Sequence, residues 1–197
     1  MQTMNTDLAQ RLLSMAKKDA KVRAELAETG ELFDGYAPRL AEVHDRNAQE
    51  LEAIIGEFGW PGSSLVGPEG AAAAWLILQH AIGQPALQRK CLPLLREAAA
   101  QGEVEPRHVA MLEDRICFFE RRPQRYGTQF DWNEDGQMAP WVIDDPDGVD
   151  ERRRSVGLEP LSLLLLICKG IEGEEPPQDH HKRQEEMMAW ARSVGWL

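Results

Sequence analysis

The sequence predicts a mainly α-helical fold, a single-domain multi-helix bundle of about six to seven helices with one small β-hairpin near residues 129–143. Apolar residues recur at steps of three and four through most of the chain, which is the spacing of one helix face. Glycines and prolines separate these segments, and both residues end helices. The length of 197 residues fits one domain, 1–197, that buries its own core without disulfides.

The first two predicted helices carry polar side chains within their core-facing stripes. The first runs from about 7 to 28, and Asp19 fills a stripe position where an apolar residue is expected. The second covers about 38–58, and His44 and Asn47 fill equivalent positions. We therefore expect three polar groups to face the core.

The third predicted helix, about 71–82, is apolar on every face and follows a predicted loop at 63–70. Its polar side chains are Gln79 and His80. A buried polar group without a hydrogen bond costs about 1–3 kcal/mol, so we expect both residues to have partners inside the fold.

Two more helices are predicted at about 86–100 and 106–120. The second has two apolar stripes, with Arg115 between them and Asp114 beside one of them. A charged pair in such a helix differs from an ordinary solvated face. The donors of Arg115, like those of Arg153 further along the chain, could hold the carboxylate or phosphate of a small ligand.

Two short runs of aromatic and β-branched residues predict the hairpin. They are 130–132 and 141–143, and an Asn-Glu-Asp-Gly turn lies between them. Two short helices are predicted at about 150–156 and 160–169. An exposed linker at 170–178 follows, and then a C-terminal helix that ends near Val194.

The segment between the fifth helix and the hairpin is the most concentrated polar motif. Gln124, Tyr126, Thr128 and Gln129 can donate and accept hydrogen bonds, and Gly127 allows a close backbone approach. Such a loop could form the wall of a binding pocket. It could equally anchor itself to the helix ends, and both interpretations stay open.

Composition excludes several classes of partner. The chain has 22 Lys and Arg against 33 Asp and Glu, a net charge of -11, which repels nucleic acid and anionic membranes. No apolar run is long enough to span a bilayer. The three cysteines, Cys91, Cys117 and Cys168, are far apart and lie in apolar segments. We therefore predict buried thiols and a cytoplasmic protein.

Acid–base chemistry is the best supported catalytic hypothesis. Burial displaces the pKa of an imidazole such as His80, and a neighbouring carboxylate resets it. We expect Asp114 or Asp19 to orient that ring. Histidines and carboxylates are available as metal ligands, but none shows a recognised ligand spacing, so no metal site is predicted. Common nucleotide-binding loops are also absent, and the cofactor stays unknown.

Several short motifs together resemble a bacterial family of proteins of unknown function over about residues 7–165. They are Gly59-Trp60-Pro61, Val66-Gly67, Gln79-His80-Ala81, Asp114-Arg115, Gln124-x-Tyr126-Gly127-Thr128-Gln129 and Arg152-Arg153-x-x-x-Gly157-Leu158-x-Pro160-Leu161. The resemblance implies a helical domain and no activity. It also implies that a set of polar residues follows the family's pattern, namely Asp19, Arg23, Asn47, His80, Asp114, Arg115, Gln124, Tyr126, Thr128 and Gln129.

Two functional hypotheses follow from these residues. In the first, the helices form a pocket for a small polar or anionic ligand, with catalysis by His80 and Asp114. The binding residues would be Asp19, Asn47, Arg115, Gln124, Tyr126, Thr128, Gln129 and Arg153. In the second, the protein is a non-catalytic interaction protein, and the same residues form a closed structural network. The sequence leaves the oligomeric state open.

Overall fold

A computed structural model describes residues 4–33, 35–169 and 178–197. The fold is mainly α-helical with one small antiparallel hairpin, as predicted. The described ranges contain eight α-helices. They are α1 (Thr6–Thr29), α2 (Pro38–Phe58), α3 (Ser63–His80), α4 (Pro85–Ala100), α5 (Pro106–Phe119), α6 (Val149–Ser155), α7 (Leu161–Lys169) and α8 (His180–Val194). Strands β1 (Phe130–Trp132) and β2 (Met138–Pro140) form the hairpin.

The chain divides into two compact units, Met1–Val104 and Glu105–Leu197, which we call the N-terminal unit and the C-terminal unit. Nothing in the fold tests the expectation of a single domain, which stays a prediction. The predicted linker at 170–178 lies outside the described residues except for Gln178.

The N-terminal unit contains α1 to α4, and α1 packs mainly against α3 and α2. Its core includes the fully buried side chains of Leu12, Leu51 and Leu78. The α1 helix begins at Asn5, whose side chain accepts a hydrogen bond from the Leu8 amide. This capping bond fixes the start of the helix that carries Asp19.

The expectation of a loop at 63–70 is wrong, because α3 already begins at Ser63. Gly67 interrupts the helix with φ 73° and ψ 167°, and Pro68 suits the first turn after that break. A Cβ on Gly70 would lie 2.9 Å from Val66 Cβ and 3.4 Å from the backbone of Ala9. Gly67 and Pro68 thus form a kink in α3, and Gly70 allows α3 to approach α1 closely.

The C-terminal unit contains α5, the hairpin and α6 to α8. The second strand is Met138–Pro140, so its predicted position at 141–143 is wrong. The reason is the turn, in which the Asn133 side chain accepts hydrogen bonds from the amides of Asp135 and Gln137. These bonds allow Trp132 to pair directly with Met138.

The predicted buried thiols are confirmed for Cys91 and Cys117, which are free and buried. The side chain of Cys168 lies outside the described residues. Within the part of the chain that the structure describes, no helix combines the length and apolarity needed to cross a membrane.

Candidate functional site

Three helices of the N-terminal unit bring Asp19, His44 and His80 together; we call this group the Asp–His cluster. Asp19 Oδ2 lies 2.6 Å from His80 Nδ1 and 3.4 Å from His44 Nε2. The centroids of the two imidazole rings are 5.1 Å apart. Both histidines therefore converge on one carboxylate.

Helical spacing explains how the cluster forms. Asp19 belongs to the α1 stripe that faces α2 and α3, and its side chain is 1% exposed. His44 lies on the buried face of α2. His80 is the last residue of α3, and 19% of its side chain remains exposed. The cluster is thus closed on the Asp19 side and open at His80.

The hydrogen bond fixes the tautomer of neutral His80. An ionised carboxylate can only accept, so the proton of the neutral ring must lie on Nδ1. Nε2 then carries the lone pair. This is the same logic by which catalytic histidines are held in one orientation by a carboxylate.

Tyr36 extends the cluster beyond His44. Its hydroxyl lies 2.9 Å from His44 Nδ1, and the two rings stack with centroids 5.7 Å apart. Burial raises the pKa of Tyr36, and the negative charges of Asp45 and Asp19 raise it further, so the phenol stays protonated. Tyr36 has no signal in the sequence, because it precedes α2 and falls in no periodic segment.

Electrostatics set the charge states of Asp19 and His80. Burial raises the pKa of Asp19, but the nearby imidazoles of His44 and His80 lower it well below its ordinary range. Burial lowers the pKa of His80 and outweighs the opposing effect of Asp19, while His44 and Arg23 lower it further. At neutral pH the pair is therefore a carboxylate beside a neutral imidazole.

The Asp–His cluster also carries donor types that transition metals prefer, and one donor atom from each residue lies within 4.8 Å of the others. Ligands of a tetrahedral zinc ion lie about 3.3 Å apart, given bonds of about 2.05 Å. The contact of His44 with Asp19 fits that spacing. The 2.6 Å between His80 and Asp19 is instead a hydrogen-bond distance.

In the C-terminal unit, the completely buried Asp114 binds the predicted polar loop. Its carboxylate accepts hydrogen bonds from the amides of Arg125, Tyr126 and Thr128 at 2.8–3.2 Å and from the Thr128 hydroxyl at 3.0 Å. Burial raises the pKa of Asp114, while these bonds act to lower it. Both of its oxygens are engaged within the loop, and its predicted catalytic role stays a prediction.

Gln124 and Gln129 close the same loop. The Gln124 side chain is fully buried, donates to the carbonyls of Gln129 and Trp141, and accepts from the Gln129 amide. Gln129 Nε2 donates to the Thr128 hydroxyl. These contacts favour the anchoring interpretation of the loop over the pocket-wall interpretation.

Arg153 holds the loop from its carbonyl side. The side chain is 2% exposed and donates to the carbonyls of Tyr126 at 2.6 Å, Gly127 at 3.3 Å and Glu159 at 2.5 Å. Arg115 lies half-buried on α5. The remaining predicted binding residue, Asn47, is buried in the N-terminal unit and donates to the Met15 carbonyl at 3.4 Å.

A family model described as a family of unknown function (DUF6624) matches residues 6–173. The chain belongs to the DUF6624 family. The match includes the Asp–His cluster and the loop bound by Asp114, so both are parts of the family domain. Comparisons with curated proteins and with solved structures gave no match to the chain.

Proposed function

We propose that this DUF6624 protein is an enzyme in which Asp19 and His80 perform acid–base chemistry on a small polar or anionic substrate. His80 Nε2 takes or gives the proton, and Asp19 holds the ring through Nδ1. The hydrogen bond of 2.6 Å between them carries the proposal. It makes His80 the acid–base residue and Asp19 its orienting group.

The difference in exposure supports a reactive rather than a purely structural pair. Asp19 is 1% exposed, whereas 19% of the His80 side chain is exposed. Because Nδ1 faces the buried carboxylate, Nε2 is the nitrogen that a ligand from the exposed side can meet. A substrate can therefore reach the base without reaching the carboxylate.

The charge states support the same role. Burial keeps the pKa of His80 below its ordinary value, so the ring is neutral and can accept a proton at pH 7. The low pKa of Asp19 keeps the carboxylate ionised beside it. Once His80 is protonated, the adjacent negative charge stabilises the imidazolium.

Arg23 favours an anionic substrate. It is exposed on α1, one turn beyond Asp19, and its positive charge is close enough to lower the pKa of His80. An arginine beside a base can bind a carboxylate or phosphate through paired hydrogen bonds. We place the reaction in the cytoplasm, because the free buried thiols Cys91 and Cys117 suit a reducing compartment.

A substrate-free experiment tests the geometry. Nitrogen-15 NMR of the imidazole should show His80 in the Nδ1–H form at pH 8, and Asp19→Asn should abolish that preference. Asp45→Asn is the matched control, because Asp45 is a carboxylate of α2 that accepts from Gln84. An Nε2–H tautomer in the wild type would overturn the proposed orientation.

Activity should then be sought with p-nitrophenyl carboxylate and phosphate esters, in which proton transfer assists attack by water. We expect His80→Asn to lower any measured kcat by about 10²–10⁴-fold, the usual contribution of a general base. His108→Asn is the control, since His108 is a half-buried histidine of α5 whose pKa burial also lowers. Equal loss in both variants would contradict a specific role for His80.

Metal titration separates acid–base chemistry from a metal centre. Asp19 Oδ1 and His44 Nε2 are buried and have no hydrogen-bond partner among the described residues, an arrangement also suited to a cation. We expect equilibrium dialysis with Zn²⁺ to show no difference between the wild type and His44→Ala. One equivalent bound by the wild type and lost in that variant would replace the acid–base proposal.

The second candidate function is non-catalytic interaction, and the closed contacts of Asp114 and Arg153 with the loop favour it for the C-terminal unit. Stability measurements discriminate between a catalytic and a structural role of the Asp–His cluster. If the Asp–His cluster is structural as well, His80→Ala should lower the free energy of unfolding strongly, because it removes a partner of buried Asp19. A catalytic residue is often tolerated when removed.

A further inference from the structure

The C-terminal unit contains a cavity that the proposed acid–base centre does not use. Its volume is about 700 Å³, and it lies between the hairpin and the first turn of α8. Its lining includes Arg121, Trp132, Trp141, His180 and Gln184. Indole rings, a guanidinium group and an imidazole therefore surround one space.

Arg121 has an unusual backbone for its residue type. It follows the end of α5 with φ +56°, and the next amide, that of Arg122, donates to the Cys117 carbonyl at 2.8 Å. A residue in this left-handed position after a helix is usually glycine, which has no Cβ to strain it. An arginine here carries backbone strain that a glycine would avoid.

The Arg121 side chain is held in place from two directions. Its guanidinium carbon lies 4.1 Å from the centre of the Trp141 ring, and Nη2 donates to Gln184 Oε1 at 3.0 Å. Gln184 is in turn fixed by its donation to Asp131 at 2.9 Å. The guanidinium is thus oriented before any ligand arrives, which reduces the entropy cost of binding.

The nearby carboxylate of Asp131 does not form its ion pair with Arg121. Asp131 pairs with Arg183 at 2.5 Å, and Gln184 separates it from Arg121. Two lining residues, Arg121 and His180, each carry one buried nitrogen without a hydrogen-bond partner among the described residues, namely Nη1 and Nδ1. A buried donor such as Arg121 Nη1 is normally satisfied, so the described residues leave one hydrogen bond of this guanidinium unfilled.

We propose that this cavity is a binding site for a small carboxylate with a flat apolar body, such as an aromatic acid. The carboxylate pairs with the Arg121 guanidinium, and the body lies against Trp132, Pro140 and Val142 of the lining. The exposed Glu134 also lines the cavity and disfavours a second negative charge. A monoanionic carboxylate therefore fits better than a phosphate ester.

Isothermal titration calorimetry tests this site with benzoate, benzamide and phenyl phosphate as probes. The wild type should bind benzoate at least tenfold more tightly than neutral benzamide. Arg121→Gln should weaken benzoate binding about tenfold or more, because it removes a charge-assisted hydrogen bond. Arg122→Gln is the matched control, since Arg122 is exposed and pairs with Glu120, and its affinity should stay within twofold of the wild type.

Arg121→Gly separates binding from folding. Glycine relieves the left-handed backbone, so this variant should keep the melting temperature of the wild type while losing benzoate binding. Equal benzoate affinity in the wild type and Arg121→Gln would overturn the proposal, as would no binding by the wild type. Preference for phenyl phosphate would overturn the carboxylate assignment, and a large fall in melting temperature with unchanged affinity would assign Arg121 a structural role.

Discussion

Asp19 and Asp114 are both almost completely buried, yet different kinds of donor hold them. His80 donates to Asp19 and the His44 imidazole lies 3.4 Å from it, whereas backbone amides and a hydroxyl bind Asp114. Imidazoles change charge near neutral pH and amides do not. Protonation of His80 therefore changes the surroundings of Asp19 as the pH falls, while those of Asp114 supply the same donors throughout the physiological range.

Replacing His80 should change how stability depends on pH. Its folded pKa is below the ordinary value of 6.5, so the unfolded chain binds its proton more readily. This difference in pKa contributes to the stability of the folded protein. The contribution is complete above about pH 7 and is lost as the pH falls through the pKa of folded His80. We expect urea unfolding between about pH 7 and pH 5 to show a smaller fall in stability for His80→Asn than for the wild type.

A control variant is His181→Asn, because the His181 side chain is 84% exposed. Its stability should follow the same pH dependence as that of the wild type. Identical slopes for the wild type and His80→Asn would show that His80 has the same pKa in the folded and unfolded states and that burial in the Asp–His cluster does not lower it.

Removing the carboxylate of Asp114 should destabilise the C-terminal unit. Asp114→Ala leaves the amides of Arg125, Tyr126 and Thr128 without their acceptor. We expect a loss of about 3–5 kcal/mol in the free energy of unfolding, since each orphaned buried group costs about 1–3 kcal/mol and their effects are not additive. Thermal unfolding measures it, and a loss under about 1 kcal/mol would show that water replaces the carboxylate.

The kink of α3 depends on residues that resemble a loop in the sequence. Gly70 lies against Val66 and Ala9, and an added Cβ would lie 2.9 Å from Val66 Cβ. We expect Gly70→Ala to destabilise the protein by about 1–3 kcal/mol through overpacking. Chemical denaturation of the purified protein measures this change.

Gly56→Ala in α2 is the matched control, because nothing lies within 4 Å of its Cβ position. Alanine there should stabilise the helix by about 0.5–1 kcal/mol. If Gly70→Ala and Gly56→Ala change the free energy of unfolding alike, the close approach of α3 to α1 does not determine the effect of a substitution at Gly70.

Local signals defined the helices better than the turns. The predicted bounds of α2 agree with Pro38–Phe58 because a proline and a glycine mark its ends. The glycines and proline of 63–70 indicated a loop because composition does not distinguish a break from a kink within a helix. The second strand shifted because the side-chain bonds of Asn133 set the hairpin register.

The candidate site was predictable in its residues and not in its pairings. Helical spacing identifies Asp19 and His44 as inward-facing, and the apolar helix around it does so for His80, but their meeting depends on how three helices pack. The sequence leaves open whether Asp114 or Asp19 orients His80, and the hydrogen bond is to Asp19. Arg121 gave no signal, since its positive φ follows from the end of α5.

Each compact unit has its own buried core. Leu12, Leu51 and Leu78 belong to the N-terminal unit, whereas Leu112 and Ile116 belong to the C-terminal unit. We therefore expect Gly70→Ala and Asp114→Ala to lower protection from hydrogen exchange first in the unit that contains the substitution. Equal loss of protection in both units for either variant would show that the chain unfolds as one cooperative body.

The two buried thiols offer a way to follow local opening in the unaltered sequence. Cys91 lies in the N-terminal unit, where burial raises its pKa to about 12, and Cys117 lies in the C-terminal unit with its pKa raised by burial as well. Neither sulfur reacts readily with an alkylating reagent until its surroundings open. The rate at which each cysteine is alkylated therefore reports how often the compact unit around it opens.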